Sequence, residues 1–241
     1  MMASVDGRLL TSRWTAPHDG STLGEVCKAY GSVAQQLGTS AWMFGKNTLQ
    51  EGFFPRTFSH KGLPKAQDHS VHHGQRPTSR MFIVADPAGD IQYTSSTVRG
   101  DGIITLLSHG VSVAYLEHLR EMGVSYLFAG PDGLDLRLAL ETLHDEFGIE
   151  SISLQGGGII NGAFLAAGLI DELSVLIYPG IDGLAGVPSI VEHLGEPDEL
   201  PARGQSLELT GVSTLPHGVV ALRYTVHHTS EPASNTVTAK R

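Results

Sequence analysis

The chain has 241 residues, 41% of them hydrophobic and 17% charged, with a formal net charge of -9. That is long enough to bury a core without staples, and too acidic for non-specific nucleic-acid binding, which needs a basic surface. The single cysteine, Cys27, excludes an intramolecular disulfide and any zinc site built on cysteines. No apolar run approaches the roughly 18 residues of a membrane span, and no signal peptide is seen, so a cytoplasmic protein is expected.

The opening "MMASV" reads as a strand that stops at the turn signal "DGR". Thr22 is placed to N-cap a helix over 23–38, with Val26, Ala29, Val33 and Leu37 near one face. Cys27 lies in that helix and is expected to be buried rather than nucleophilic. "AWMFG" (41–45) reads as a short buried strand, and 53–80 as a long loop rich in Pro, Gly, His and charge. Loops of that length in a compact domain are usually functional or mobile.

"MFIVA" (81–85) and "GIITLLS" (102–108) read as strands, and "VSVAY" (111–115) as a possible third. "LEHLREMG" reads as a helix ending at Gly123, followed by a strand in "VSYLFAG". From Asp135 the spacing of Leu136, Leu140, Leu143 and Phe147 predicts a helix that Gly148 stops. "SISL" (151–154) is a strand, "IINGAFLAAG" a short helix closed by Gly168, and "ELSVLIYP" (172–179) a strand. Residues 206–215 and 219–226 read as a hairpin turning at "PHG", and the tail after His227 as disordered. Strands alternating with helices, then a terminal hairpin, predict an α/β fold: a mixed sheet with helices on both faces. One domain over 1–226 is expected.

The question of function begins at "LQGGGIING". Gly156, Gly157 and Gly158 stand between a strand and a helix start. Unpaired first-turn N–H groups and the helix dipole make such a place an anion site, and glycine lets a phosphate sit on the backbone. The dinucleotide fingerprint G-x-G-x-x-G is not met, because Asn161 stands at its last position. A tight turn that binds nothing is the plainer alternative. Two other strand ends carry similar chemistry: Ser4, Asp6 and Gly7 in "ASVDGRL", and Gly45 with Lys46 and Thr48 in "FGKNT". Ligands of open α/β sheets bind at the carboxyl ends of strands.

These segments resemble the reductase domain of riboflavin biosynthesis. "MASVDGRL" is similar to its "SLDGR" strand end, "FGKNT" to its G-x-x-T segment, and "LQGGGIINGAFLAAGLIDEL" to its "EGG-x-x-L-N-x-x-L-x-x-G-L-V-D-E-L" block. The resemblance implies a dihydrofolate-reductase-like fold: a mixed, mostly parallel sheet flanked by helices, with a C-terminal antiparallel hairpin, in a homodimer. It implies NADPH as cofactor, held by Gly156, Gly157, Gly158, Ile159 and Asn161, with Gly45 and Thr48 nearby, and a pyrimidine-type substrate at Ser4 and Asp6. One departure concerns the Asp-Pro-type segment after G-x-x-T, which reads "LQEGFFP" here, with Gly52 where the acid would be and Glu51 beside it.

Asp6 is the only acid in the three strand-end segments, so it is the candidate for substrate anchoring or proton relay; capping its own turn is the alternative. Trp14 is a candidate wall of the pocket or simply core. Arg80 and Lys46 are candidates for meeting a 2′-phosphate. His69, His72 and His73, with Asp68, have no helical pattern, so a solvated loop is favoured over a metal site, and no metal is expected. Two other readings remain: an NADPH-dependent reductase of another heterocycle, such as a pterin, and a non-catalytic nucleotide-binding protein on the same fold.

Overall fold

The computed structural model describes residues 1–229. Within these residues the chain forms two compact units, one of residues 31–160 and one of residues 1–30 with 161–229. The boundaries fall inside helix α1 (Leu23–Gln36) and helix α5 (Gly158–Ala166).

The unit formed by Gly31–Ile160 is built on strands β2 (Ala41–Gly45), β3 (Met81–Ala85), β4 (Thr97–Val98), β5 (Asp101–Leu107), β6 (Ser125–Phe128) and β7 (Ile152–Gly156). The order is β4-β5-β3-β2-β7, with β6 also paired to β5. All of these pairings are parallel except β4 with β5. Such a sheet has to be covered on both faces, which is why β3 and β5 are apolar runs rather than alternating ones. The core packs Phe82, Val84, Ile103, Leu107, Tyr115, Leu119 and Tyr126. Helices α2 (Lys46–Gly52), α3 (Val113–Met122) and α4 (Leu136–Phe147) complete the unit. Helices α3 and α4 end on Gly123 and Gly148 in the left-handed conformation, as expected.

The strand considered over 111–115 is not one. Ser112 is an N-cap whose side chain accepts from the Tyr115 N–H, and α3 starts at Val113. The apolar alternation misled because Val113 is exposed while Tyr115 and Leu119 fall on one buried face of α3, with Val111 buried just ahead of its cap. Residues 53–80 do lack regular elements, but they are tied to the unit. Phe54 and Ala66 are in the core, and His72 forms a bridge with Tyr126 that covers the edge of β6.

The other unit carries strands β1 (Met2–Ser4), β8 (Glu172–Tyr178), β9 (Gln205–Thr214) and β10 (Val220–His228) in the order β1-β8-β10-β9. β1 is parallel to β8, and the C-terminal hairpin adds antiparallel strands. The hairpin turns at Pro216–Gly218, as the sequence predicts. β10 reaches His228, one residue beyond the predicted start of the tail; the rest of that expectation lies outside the described residues. Thr22 caps α1 reciprocally with Glu25: the Glu25 N–H donates to Thr22 Oγ1 at 3.3 Å, and Glu25 Oε2 accepts the Thr22 N–H at 2.8 Å. Cys27 is exposed, contrary to expectation. Val26 takes the buried position, and the next residue lies about 100° further round the helix.

Candidate functional site

In the unit formed by Gly31–Ile160, β7 and β2 end side by side. Their pairing slips at that end: Met43 faces Leu154, but Phe44 faces Gly156. Gln155 is thus the extra residue of a bulge, the kind of irregularity that often lies beside ligand sites. Its side-chain amide donates to Ser153 Oγ at 2.6 Å. Gly156 has φ +95, a conformation open to glycine. The peptide from Gly156 to Gly157 is cis.

A Cβ added at Gly157 would meet nothing nearer than Thr48 Oγ1 at 3.9 Å. The space over this backbone is open, and the N–H groups of Gly158, Ile159 and Ile160 begin α5. Thr48 is exposed on the first turn of α2, and a Cβ at Gly45 would come within 3.6 Å of Ile160. The fold therefore brings Thr48 close to Gly157, and Gly45 close to the Ile160 side chain. The donor set is neutral N–H and hydroxyl, the chemistry that receives a phosphate oxygen without a fixed cation. Ile159 is 49% exposed.

The two cations considered for a 2′-phosphate both have carboxylate partners. Lys46 pairs with Asp90. Arg80 Nε pairs with Asp101 at 2.7 Å, and its guanidinium lies 4.7 Å over the Trp42 ring. Glu51 is exposed on the last turn of α2. Sequence reasoning missed α2 itself; it read "DPAGD" after β3 as a turn but gave Asp86 no role. There buried Asp86 accepts the N–H groups of Asp90 and Ile91 at 3.0 and 2.9 Å, and the Tyr115 hydroxyl at 3.3 Å. Burial pushes the Asp86 carboxyl above its ordinary range. The signal was present in "DPAGD", where Asp opens a turn.

The histidines of the 53–80 loop stack on aromatic rings instead of converging. His69 lies 3.8 Å from His109, His72 5.2 Å from Tyr126, and His73 4.7 Å from Phe147. Among the described residues no group of three or more His, Cys, Asp or Glu is arranged to hold a metal.

In the other unit, Ser4 is buried at the end of β1 and donates to Asp6 Oδ1 at 2.6 Å. Asp6 also accepts the N–H groups of Asp182 and Gly183 at 3.1 and 2.8 Å. The Ser4 hydroxyl, and next the Gly183 N–H, hold the Asp6 carboxyl well below the usual carboxylate range. Trp14 packs on Tyr178 with ring centroids 4.7 Å apart. Its indole N–H is shielded and has no hydrogen-bond partner among the described residues. The Asn161 side chain donates to the Ile190 carbonyl at 2.7 Å, so the amide that follows the glycine run holds the 188–192 segment.

The profile of the RibD C-terminal domain family matches residues 1–221. The chain belongs to that family. The RibD-type chain is 39% identical, over 98 residues, to the 2,5-diamino-6-ribosylamino-4(3H)-pyrimidinone 5′-phosphate reductase of Methanothermobacter thermautotrophicus. That match covers 41% of this chain and 44% of the relative. A protein of the same name from Aquifex aeolicus is 32% identical over 76 residues, covering 32% of this chain and 34% of the relative. The RibD-type chain thus spans less than half the length of either relative.

Among solved structures, a pyrimidine reductase-like protein from Corynebacterium diphtheriae superposes with a TM-score of 0.62 at 16% identity, over 94% of this chain and 90% of the other. The Saccharomyces riboflavin biosynthesis reductase Rib7 gives 0.54 at 15% identity, over 94% and 87%. At such identities the likeness speaks for the fold: a mixed α/β architecture with a mostly parallel sheet and a C-terminal antiparallel hairpin. Among the described residues no helix is long and apolar enough to cross a membrane.

Proposed function

We propose that this RibD-type chain is an oxidoreductase, an NADPH-dependent reductase of a phosphoribosylated pyrimidine. The observation that carries the reading is the open backbone at Gly157, facing Thr48 at the ends of β7 and β2. A phosphate fits there because glycine offers N–H groups without a Cβ. In this reading Gly156, Gly157, Gly158 and Ile159 hold the cofactor pyrophosphate, with Gly45 and Thr48 beside it. The cofactor, when bound, supplies a hydride to the substrate.

The substrate class follows the relatives, whose names specify a diamino-ribosylamino-pyrimidinone 5′-phosphate. Its deaminated counterpart, a 5-amino-6-(5-phosphoribosylamino)uracil, is the other substrate to offer. Ser4 and Asp6, at the end of β1, are assigned to the substrate end. The active form in this reading is a homodimer in which residues 1–226 act as one reductase domain.

The test has two stages. The purified chain is titrated with NADPH and with NADH, following nicotinamide fluorescence; tight NADPH and weak NADH binding is expected. NADPH oxidation is then followed with both pyrimidine phosphates and with a dihydropterin. Turnover with a pyrimidine phosphate is the expected result. Turnover only with the pterin changes the substrate. Binding without any turnover selects the non-catalytic reading, which the replaced Asp-Pro segment at Glu51–Gly52 favours. No binding of either nucleotide overturns the proposal.

A further inference from the structure

β1 and β8 are parallel neighbours, Ser4 opposite Tyr178. Their exit loops therefore leave the sheet at the same carboxyl end, the side on which open α/β sheets bind ligands. Backbone bonds lace the two loops together. Val5 N–H donates to the Gly180 carbonyl at 2.8 Å, and Leu9 N–H to that of Pro188 at 2.9 Å. Thr15 N–H reaches the Ile181 carbonyl at 3.1 Å, and Ile181 N–H reaches Thr15 Oγ1 at 3.0 Å.

Two carboxylates then clasp the turn between them. Asp6 accepts two successive N–H groups, those of Asp182 and Gly183. Asp182 in turn accepts the Arg13 fork, Nε at 2.8 Å and Nη2 at 3.1 Å, and the Leu184 N–H at 3.0 Å. The Asp182 side chain is inaccessible to solvent. The turn nonetheless presents apolar side chains to solvent: Ile181 and Leu184 are 50% and 53% exposed, and Val5 on the adjoining loop is 64% exposed.

We propose that Asp6 and the Arg13–Asp182 pair are positioning residues that hold the Ile181–Leu184 turn as a fixed apolar shelf for the flat face of the heterocyclic substrate. This rests on the reductase reading above. Asp6 acts as an ionised acceptor, with both oxygens already bonded, and gives no proton. The Ser4 hydroxyl belongs to the same clasp, since it donates to Asp6. No charge lies on the shelf's three exposed side chains, which suits the face of a ring and leaves its phosphate to other groups.

The experiment compares the intact chain with Asp6→Asn, Arg13→Lys and Leu184→Ser. Asp6→Asn turns one acceptor into a donor facing N–H groups. Arg13→Lys keeps the charge and loses the fork. Leu184→Ser alters the shelf without touching either clasp. Expected are an increase in the KM for the pyrimidine phosphate of about tenfold in Asp6→Asn, an intermediate increase in Arg13→Lys, and an increase in Leu184→Ser at unchanged Tm. NADPH affinity stays unchanged in all three, and kcat moves less than KM.

A folded Leu184→Ser with unchanged KM overturns the shelf, as does loss of kcat at constant KM in Asp6→Asn, which would place Asp6 in the chemistry. A change of oligomeric state in Leu184→Ser with unchanged KM would make the turn a contact between copies, and also overturns it. If Asp6→Asn does not fold, the other two variants decide. Absence of turnover in the intact chain overturns the reductase reading itself, and the shelf with it.

Discussion

Gly157 carries the cofactor assignment because its surroundings separate two effects that a glycine substitution usually confounds. A Cβ there has no protein neighbour within 3.4 Å, and its φ is not in the left-handed range, unlike that of Gly156. Gly157→Val is therefore expected to leave the melting temperature nearly unchanged while weakening NADPH binding about tenfold or more, ~1.4 kcal/mol. Fluorescence titration beside a thermal melt checks it; normal binding by a folded variant would remove the glycine run from the site. At Asp6 the residue type and place were legible as a candidate, but its job was not. A sequence shows an acid after a strand. The partners that commit both oxygens, Asp182 and Gly183, lie some 176 residues away along the chain.

At the level of elements, local signals served well where the caps are local. Asp135 caps α4 by accepting the Leu138 N–H at 3.0 Å, and Gly148 closes it. They failed where a cap also serves a distant segment. Ser112 is 2% exposed; its hydroxyl accepts the Tyr115 N–H at 3.2 Å and meets His60 Nδ1 at 3.0 Å. It thus fastens the start of α3 and the 53–80 loop together. Ser112→Ala is expected to cost about 1–2 kcal/mol, since a helix cap and a buried partner are lost at once. Differential scanning calorimetry should show a fall of a few degrees, roughly 2–8 °C for a chain of this size. No change would mean that the loop is held by its backbone bridges alone. The loop itself was recognised by its composition. That it is fastened, with its histidines on aromatic rings, depended on core residues 30 to 75 positions away.

Across the whole molecule, the acid response follows from the carboxylates. Asp6, Asp19, Asp68, Asp182, Glu25 and Glu199 are all held below their ordinary range. The causes are chiefly hydrogen bonds donated by hydroxyls, backbone N–H groups, Arg13 and His193. A group whose pKa is lower folded than unfolded contributes stability above its unfolded value, near 4, and loses it as pH falls through the folded value. Asp86, raised by burial, has the opposite sign: it favours the folded state when protonated. The depressed set outnumbers it. The partly buried His72 and His118, held below the ordinary imidazole value, act in the same direction at higher pH, so the melting temperature is expected to decline gently below about pH 7 and more steeply below about pH 4. Melts across that range check it; a rise on acidification would mean that Asp86 dominates.

The sequence by itself determined the order and type of most elements and the glycine run at a helix start. Those follow from periodicity, caps and turn residues, which act over a few positions; the family showed only through the resemblance of three motifs to a known one. Tertiary structure alone decided that Cys27 faces outward, that Lys46 and Arg80 are paired with Asp90 and Asp101, and that Asp6 clasps the 180–184 turn. Each of these depends on which groups meet in space, and a chain brings such partners together only when its strands pair.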